Sequence, residues 1–147
     1  MGLGGVLLAA YVLQAWVGST PAWLASLQAS DRYRVISGGA LALYILRQTF
    51  VGRRRRLDPA GALARHRLGG ALAPLVLYLH AARFAYGYLL LLAYVYLTTV
   101  LLGLLYRPMQ TSRARRLYVG WFLTHVAAAA SLVVLGGFHV AIALGYE

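Results

Sequence analysis

The stretch from Leu68 to Tyr106, LGGALAPLVLYLHAARFAYGYLLLLAYVYLTTVLLGLLY, decides the fold. It holds 39 residues and a single charge, Arg83. As one helix it would be roughly 58 Å long, about twice the thickness of a bilayer core. Division near Arg83-Phe84-Ala85-Tyr86-Gly87 gives instead two helices, over about 62–82 and 86–106. Working outward, three more apolar runs cover about 3–18, 35–51 and 117–144. Ser19-Thr20-Pro21-Ala22-Trp23 reads as the cap and first turn of a short helix that lies in the membrane interface and ends near Gln28. Asp31-Arg32-Tyr33-Arg34 reads as a polar connection. Basic loops surround Arg53-Arg54-Arg55-Arg56-Leu57-Asp58-Pro59 and run from Arg107 to Arg116. The expected fold is all-α: a polytopic transmembrane helical bundle of about five spans, forming one integral membrane domain over 1–147. Four spans is the alternative, with 68–106 as one helix.

Composition points the same way. Hydrophobic residues make up 61% and charged residues 12%, with a mean hydropathy of +0.69. A soluble domain carries about 25% charged residues. The N-terminal MGLGGVLLAAYVLQAW lacks a basic leading segment and its apolar run continues onward, so no removable signal peptide is expected. There are fourteen arginines, no lysine and three acids, a net charge of +11. These arginines sit in short clusters between apolar runs, the pattern of membrane anchoring rather than of a nucleic-acid surface. With no cysteine, disulfides, cysteine-ligated iron–sulfur clusters and haem attached through C-x-x-C-H are excluded.

Arginine placement also selects the topology. With five spans, Arg53 to Arg56, Arg65, Arg67, Arg107, Arg113, Arg115 and Arg116 share one side, while Arg32, Arg34 and Arg83 lie on the other. With four spans the arginines divide almost evenly. The excess of positive charge on the cytoplasmic side favours five spans in a cell inner (cytoplasmic) membrane, with a cytoplasmic N-terminus.

The only histidines are His66, His80, His125 and His139, and each pair is 14 residues apart. Fourteen residues of α-helix rise about 21 Å and turn through a net angle of only ~40°, so each pair shares one helix face near opposite edges of the core. The third and fifth spans run parallel in a five-span bundle. His66 then lies level with His125, and His80 with His139. Two facing imidazoles at one depth are the ligand set for a flat metal macrocycle, which gives two stacked bis-histidine b-type haems between the third and fifth helices. Gly69, Gly70, Gly120, Gly136 and Gly137 flank the histidines and leave room for a large ring. Arg65, Arg67 and Arg83 are candidates to pair with haem propionates. The competing readings are plain: glycines as helix-packing contacts, arginines as topology anchors, and Trp23, Tyr86, Tyr88 and Trp121 as an interfacial belt.

The segment Arg65-His66-Arg67-Leu68-Gly69 through His80, after a basic loop, resembles the third helix of the ferric reductase-like transmembrane domain. That superfamily includes the membrane parts of NADPH oxidases and of bacterial haem-binding reductases. The resemblance covers roughly residues 53–143 and implies two haems, held by His66, His80, His125 and His139. Respiratory cytochrome b subunits use a similar spacing. Reductases of the superfamily usually carry flavin- and nicotinamide-binding domains after the membrane part. This sequence has no G-x-G-x-x-G fingerprint and reaches Tyr146-Glu147 soon after the last span, so hydride chemistry is expected to belong to a partner.

The leading expectation is transmembrane electron transfer as a subunit that exchanges electrons with redox partner proteins, lipid being its solvent. The alternatives are a quinone-linked cytochrome b subunit of a membrane dehydrogenase, with Gln14, Gln48 or Tyr78 in its pocket, and a haem-free scaffold subunit.

Overall fold

The computed structural model describes residues 2–53, 58–111 and 114–145, without the side chains of 52 and 53. It is all-helical, with no strand among the described residues. The elements are α1 (Leu3–Val17), α2 (Ala22–Ala29), α3 (Asp31–Arg53), α4 (Pro59–His80), α5 (Tyr88–Leu104), α6 (Tyr106–Gln110) and α7 (Arg115–Gly145).

The Leu68–Tyr106 stretch is two helices. The first stops at His80 and the second starts at Tyr88, with Gly87 at φ 61, where a side chain would be strained. Gly18, at φ 72, ends α1 in the same way, and α2 leaves it at 80°.

Three boundaries differ from the sequence expectation. Within the stretch from Arg107 to Arg116 expected as a basic loop, Tyr106–Gln110 forms the short helix α6 and Arg115 already opens α7. The polar connection Asp31–Arg34 is the first turn of α3, not a loop. Asp31 suits the positive end of a helix and pairs with Arg34 at 3.5 Å. The basic loop ends early, because Pro59 opens α4 and the Asp58 side chain accepts the Gly61 N–H at 2.8 Å. This is an N-cap with proline in the first turn. Arg65, His66 and Arg67 therefore lie on a helix. The runs 54–57 and 112–113 fall outside the described residues.

Contacts fix the directions. Gln48, late in α3, meets His66, early in α4, and Ser37, early in α3, meets His80 at the end of α4, so these helices are antiparallel. Tyr88 meets His139, and Trp121 meets Leu102, so α5 and α7 are antiparallel too. His66 faces His125 and His80 faces His139, so α4 and α7 run parallel. The buried core is an apolar layer of Tyr11, Leu41, Ala73, Leu77, Tyr96, Val100 and Leu132. Within it the Tyr96 hydroxyl donates to Ala73 O at 2.8 Å.

Among the described residues only α7, at 31 residues, is by itself long and apolar enough to cross a membrane. Leu132 is its one buried residue. The bent pair α1 and α2 reaches that length together.

Candidate cofactor site

Four elements surround the histidines. Helix α3 packs on α4 and α7, and α5 also packs on both, whereas α4 and α7 make no comparable contact with each other. The histidines reach across this gap in two pairs. The ring centroids of His66 and His125 are 6.3 Å apart, and those of His80 and His139 are 6.5 Å apart. The planes cross at 82° and 66°. Ala73 and Leu132 of the apolar layer each lie seven residues from both histidines of their helix, so the layer separates the two pairs.

At three of the four histidines Nδ1 has a partner. Ser37 Oγ is 3.0 Å from His80, Tyr88 Oη is 3.3 Å from His139, and Gln48 O is 3.3 Å from His66. His125 Nδ1 is buried beside the Thr99 backbone without a hydrogen bond of full geometry. Trp121 stacks on the His125 ring at 6.1 Å and 8°, and is anchored by its own N–H to Leu102 O at 2.7 Å. An imidazole held through Nδ1 presents Nε2 as its ligand atom.

The glycines separate into two groups. A Cβ at Gly69 would collide with the Gln48 side chain, so that glycine serves the close packing of α4 on α3, as does the hydrogen bond from Tyr44 to its carbonyl. Gly70, Gly120, Gly136 and Gly137 face open space, with nothing within 4 Å of an added Cβ. Two glycines that the sequence did not single out touch the imidazoles. A Cβ on Gly38 of α3 would lie 3.1 Å from His80 Cε1, and one on Gly103 of α5 would lie 3.5 Å from His125 Cε1.

The three arginines have partners away from the imidazoles. Arg65 pairs with Asp58 at 3.1 Å, Arg67 lies over the Tyr106 ring at 5.6 Å, and Arg83 donates to Gly18 O at 2.8 Å. The first closes the N-terminal turns of α4 on themselves, and the other two tie one segment of chain to another. Among the described residues no group of three or more histidine, cysteine or acidic side chains converges.

The chain matches no protein-family model, no curated protein and no solved structure.

Proposed function

We propose that the protein is a membrane electron-transfer subunit of about five spans, formed by α1, α3, α4, α5 and α7, which holds two b-type haems between α4 and α7. One observation carries this reading: two pairs of histidines face each other, at two levels, between two helices whose backbones make no close contact. A metal–imidazole nitrogen bond is about 2.0–2.1 Å, so two imidazoles on opposite sides of one metal put their ring centroids roughly 6 to 6.5 Å apart. Both pairs have that separation. Two ligands per site leave four positions to a macrocycle, whereas a bare zinc ion wants four protein or water ligands.

Haem would contribute one-electron chemistry at its iron. The protein does the rest. Ser37, Tyr88 and Gln48 orient their imidazoles, Trp121 fixes the plane of His125, and the layer around Leu132 and Tyr96 keeps water from the space between the sites. The basic ends of α3, α4 and α7 would face the cytoplasm, which puts the His66–His125 pair on that side.

A pyridine haemochrome assay on the purified chain should give close to two b haems per polypeptide, with a reduced-minus-oxidised spectrum of six-coordinate haem. His125→Ala should lose one haem and keep the other. A chain purified from membranes without haem would overturn this reading in favour of a scaffold.

A quinone-linked role has one observation of its own. Gln48 Oε1 is buried without a partner, one residue's reach from His66. An unpartnered acceptor suits a quinol hydroxyl. Gln14 Oε1 is likewise buried without a partner, while its Nε2 is engaged by Ser19 O at 2.8 Å, and Tyr78 packs edge-on against Tyr11. Haem reduction by a quinol analogue, abolished in Gln48→Leu, tests this role; equal rates in the variant would remove it.

A further inference from the structure

Two grooves open on the surface at the end of the bundle that holds His66 and His125. The first, about 400 Å³, lies between α3 and α4 and is lined by Arg47, Phe50, Val51 and Arg65. The second, about 560 Å³, lies on the first turns of α7 and is lined by Arg115, Arg116, Val119, Gly120 and Leu123. Both combine two guanidinium groups with apolar walls, and neither has an acidic side chain in its lining. Asp58 stands at the edge of the first, where it takes part of Arg65's charge. Among the described residues, Arg47, Arg115 and Arg116 make no ion pair.

Each groove also heads an exposed apolar stripe. On α3, Phe50, Leu43 and Ile36 are 54%, 69% and 72% exposed and recur every seven residues. On α7, Val119, Leu123, Val126 and Val134 are 43%, 60%, 48% and 70% exposed at spacings of three, four and eight. Each stripe runs about 21 Å along its helix, longer than one leaflet of a ~30 Å hydrocarbon core. A cationic head above an apolar track has the shape and charge of one ligand class.

We propose that the two grooves are binding sites for anionic phospholipids. Guanidinium pairs hold the phosphate through charge-assisted hydrogen bonds, and the stripes receive the acyl chains. An acidic soluble protein would match the charge, but not Phe50, Val51, Val119 and Leu123. The proposal rests on the membrane reading of the chain and is independent of haem.

The full chain, extracted in detergent, would be exchanged into mixed micelles with equal phosphatidylglycerol and phosphatidylcholine. Co-purifying lipid would be counted by native mass spectrometry. Phosphatidylglycerol should be retained in excess. Arg47→Gln with Arg65→Gln, and Arg115→Gln with Arg116→Gln, should each weaken retention at its own groove roughly tenfold or more. The quadruple variant should keep no preference. Equal retention of the two lipids by the wild-type chain would overturn the proposal, and so would an excess unchanged in the quadruple variant. Complete displacement by millimolar inorganic phosphate would also overturn it, by assigning the grooves to free phosphate. Recovery of the chain from the soluble fraction without detergent would remove the membrane reading itself, an outcome distinct from any of these.

Discussion

Asp58 shows how much one residue can set. Its side chain accepts the Gly61 N–H and then the Arg65 guanidinium, and both hold its carboxyl below the ordinary carboxylate range. A carboxyl with a depressed folded-state pKa stabilises the fold fully above its unfolded pKa, near 3.9, and loses that contribution as pH falls through the lower folded value. Asp58→Ala should therefore lower the thermal midpoint at pH 7, and the gap from wild type should close between about pH 5 and pH 2. A gap independent of pH would assign the loss to something other than the carboxylate. The Asp58-Pro59 pair was legible as a helix start but stood inside a basic run that read as loop. Gly38 and Gly103 were not legible at all. Their importance lies in the rings they touch, His80 and His125, and those come from other helices.

Among the elements, the last turn of α4 depends most on its neighbours. Helices leave their final carbonyls without partners. Here Gln28 of α2 donates to Tyr78 O at 2.9 Å and to Leu79 O at 3.1 Å, Tyr33 of α3 donates to Leu79 O at 2.8 Å, and Tyr11 of α1 donates to Ala81 O at 3.1 Å. Leu24 of α2 is fully buried, which seats that short helix against the bundle. The turn of α1 into α2 thus acts as a cap on the helix end that carries His80. Gln28→Leu keeps the size but removes the donors, and should cost about 1–3 kcal/mol in thermal unfolding. In a haem-loaded sample the spectrum of the His80–His139 site should change and that of the other should not. Changes at both sites would mean that α2 supports the whole bundle. The α4–α5 break was legible in length alone, since no helix of 39 residues fits one bilayer crossing, and the short helix α2 in its proline, although Pro21 is itself the N-cap and no side chain caps the helix. The capping role of Gln28 was not, because its partners are 50 residues away.

For the whole molecule, surface area is the telling quantity. The chain exposes 9984 Å², against roughly 7,400 Å² for a compact soluble monomer of 16.0 kDa. The excess is largely apolar, with Trp16 85%, Tyr86 92% and Val134 70% exposed. Lipid around the outside and a cofactor within would cover it. Orientation can be read from single cysteines, since the chain has none. Ser30 and Thr111 are both exposed, at opposite ends of the bundle. In intact cells a membrane-impermeant thiol reagent should label Ser30→Cys and spare Thr111→Cys. The reverse would invert the protein, and labelling of both would place the two ends on one side. The equal histidine spacings carried the pairing, because a helix converts sequence interval into depth. The gap between α4 and α7 had no counterpart in the sequence, since it arises from how α3 and α5 hold the two helices apart.

That gap bears on how the protein matures in the cell. Helices α4 and α7 approach each other chiefly through side chains, the two histidine pairs and the apolar layer of Ala73, Leu77 and Leu132, while α5 and α3 pack closely on both. A newly inserted chain would thus have α7 seated on α5 and α3 before any ligand arrives. A molecule that bound between the histidines would act as a keystone, adding its binding free energy to the folded state. The supply of that molecule, rather than the rate of synthesis, would then govern how much of the protein survives surveillance by membrane proteases.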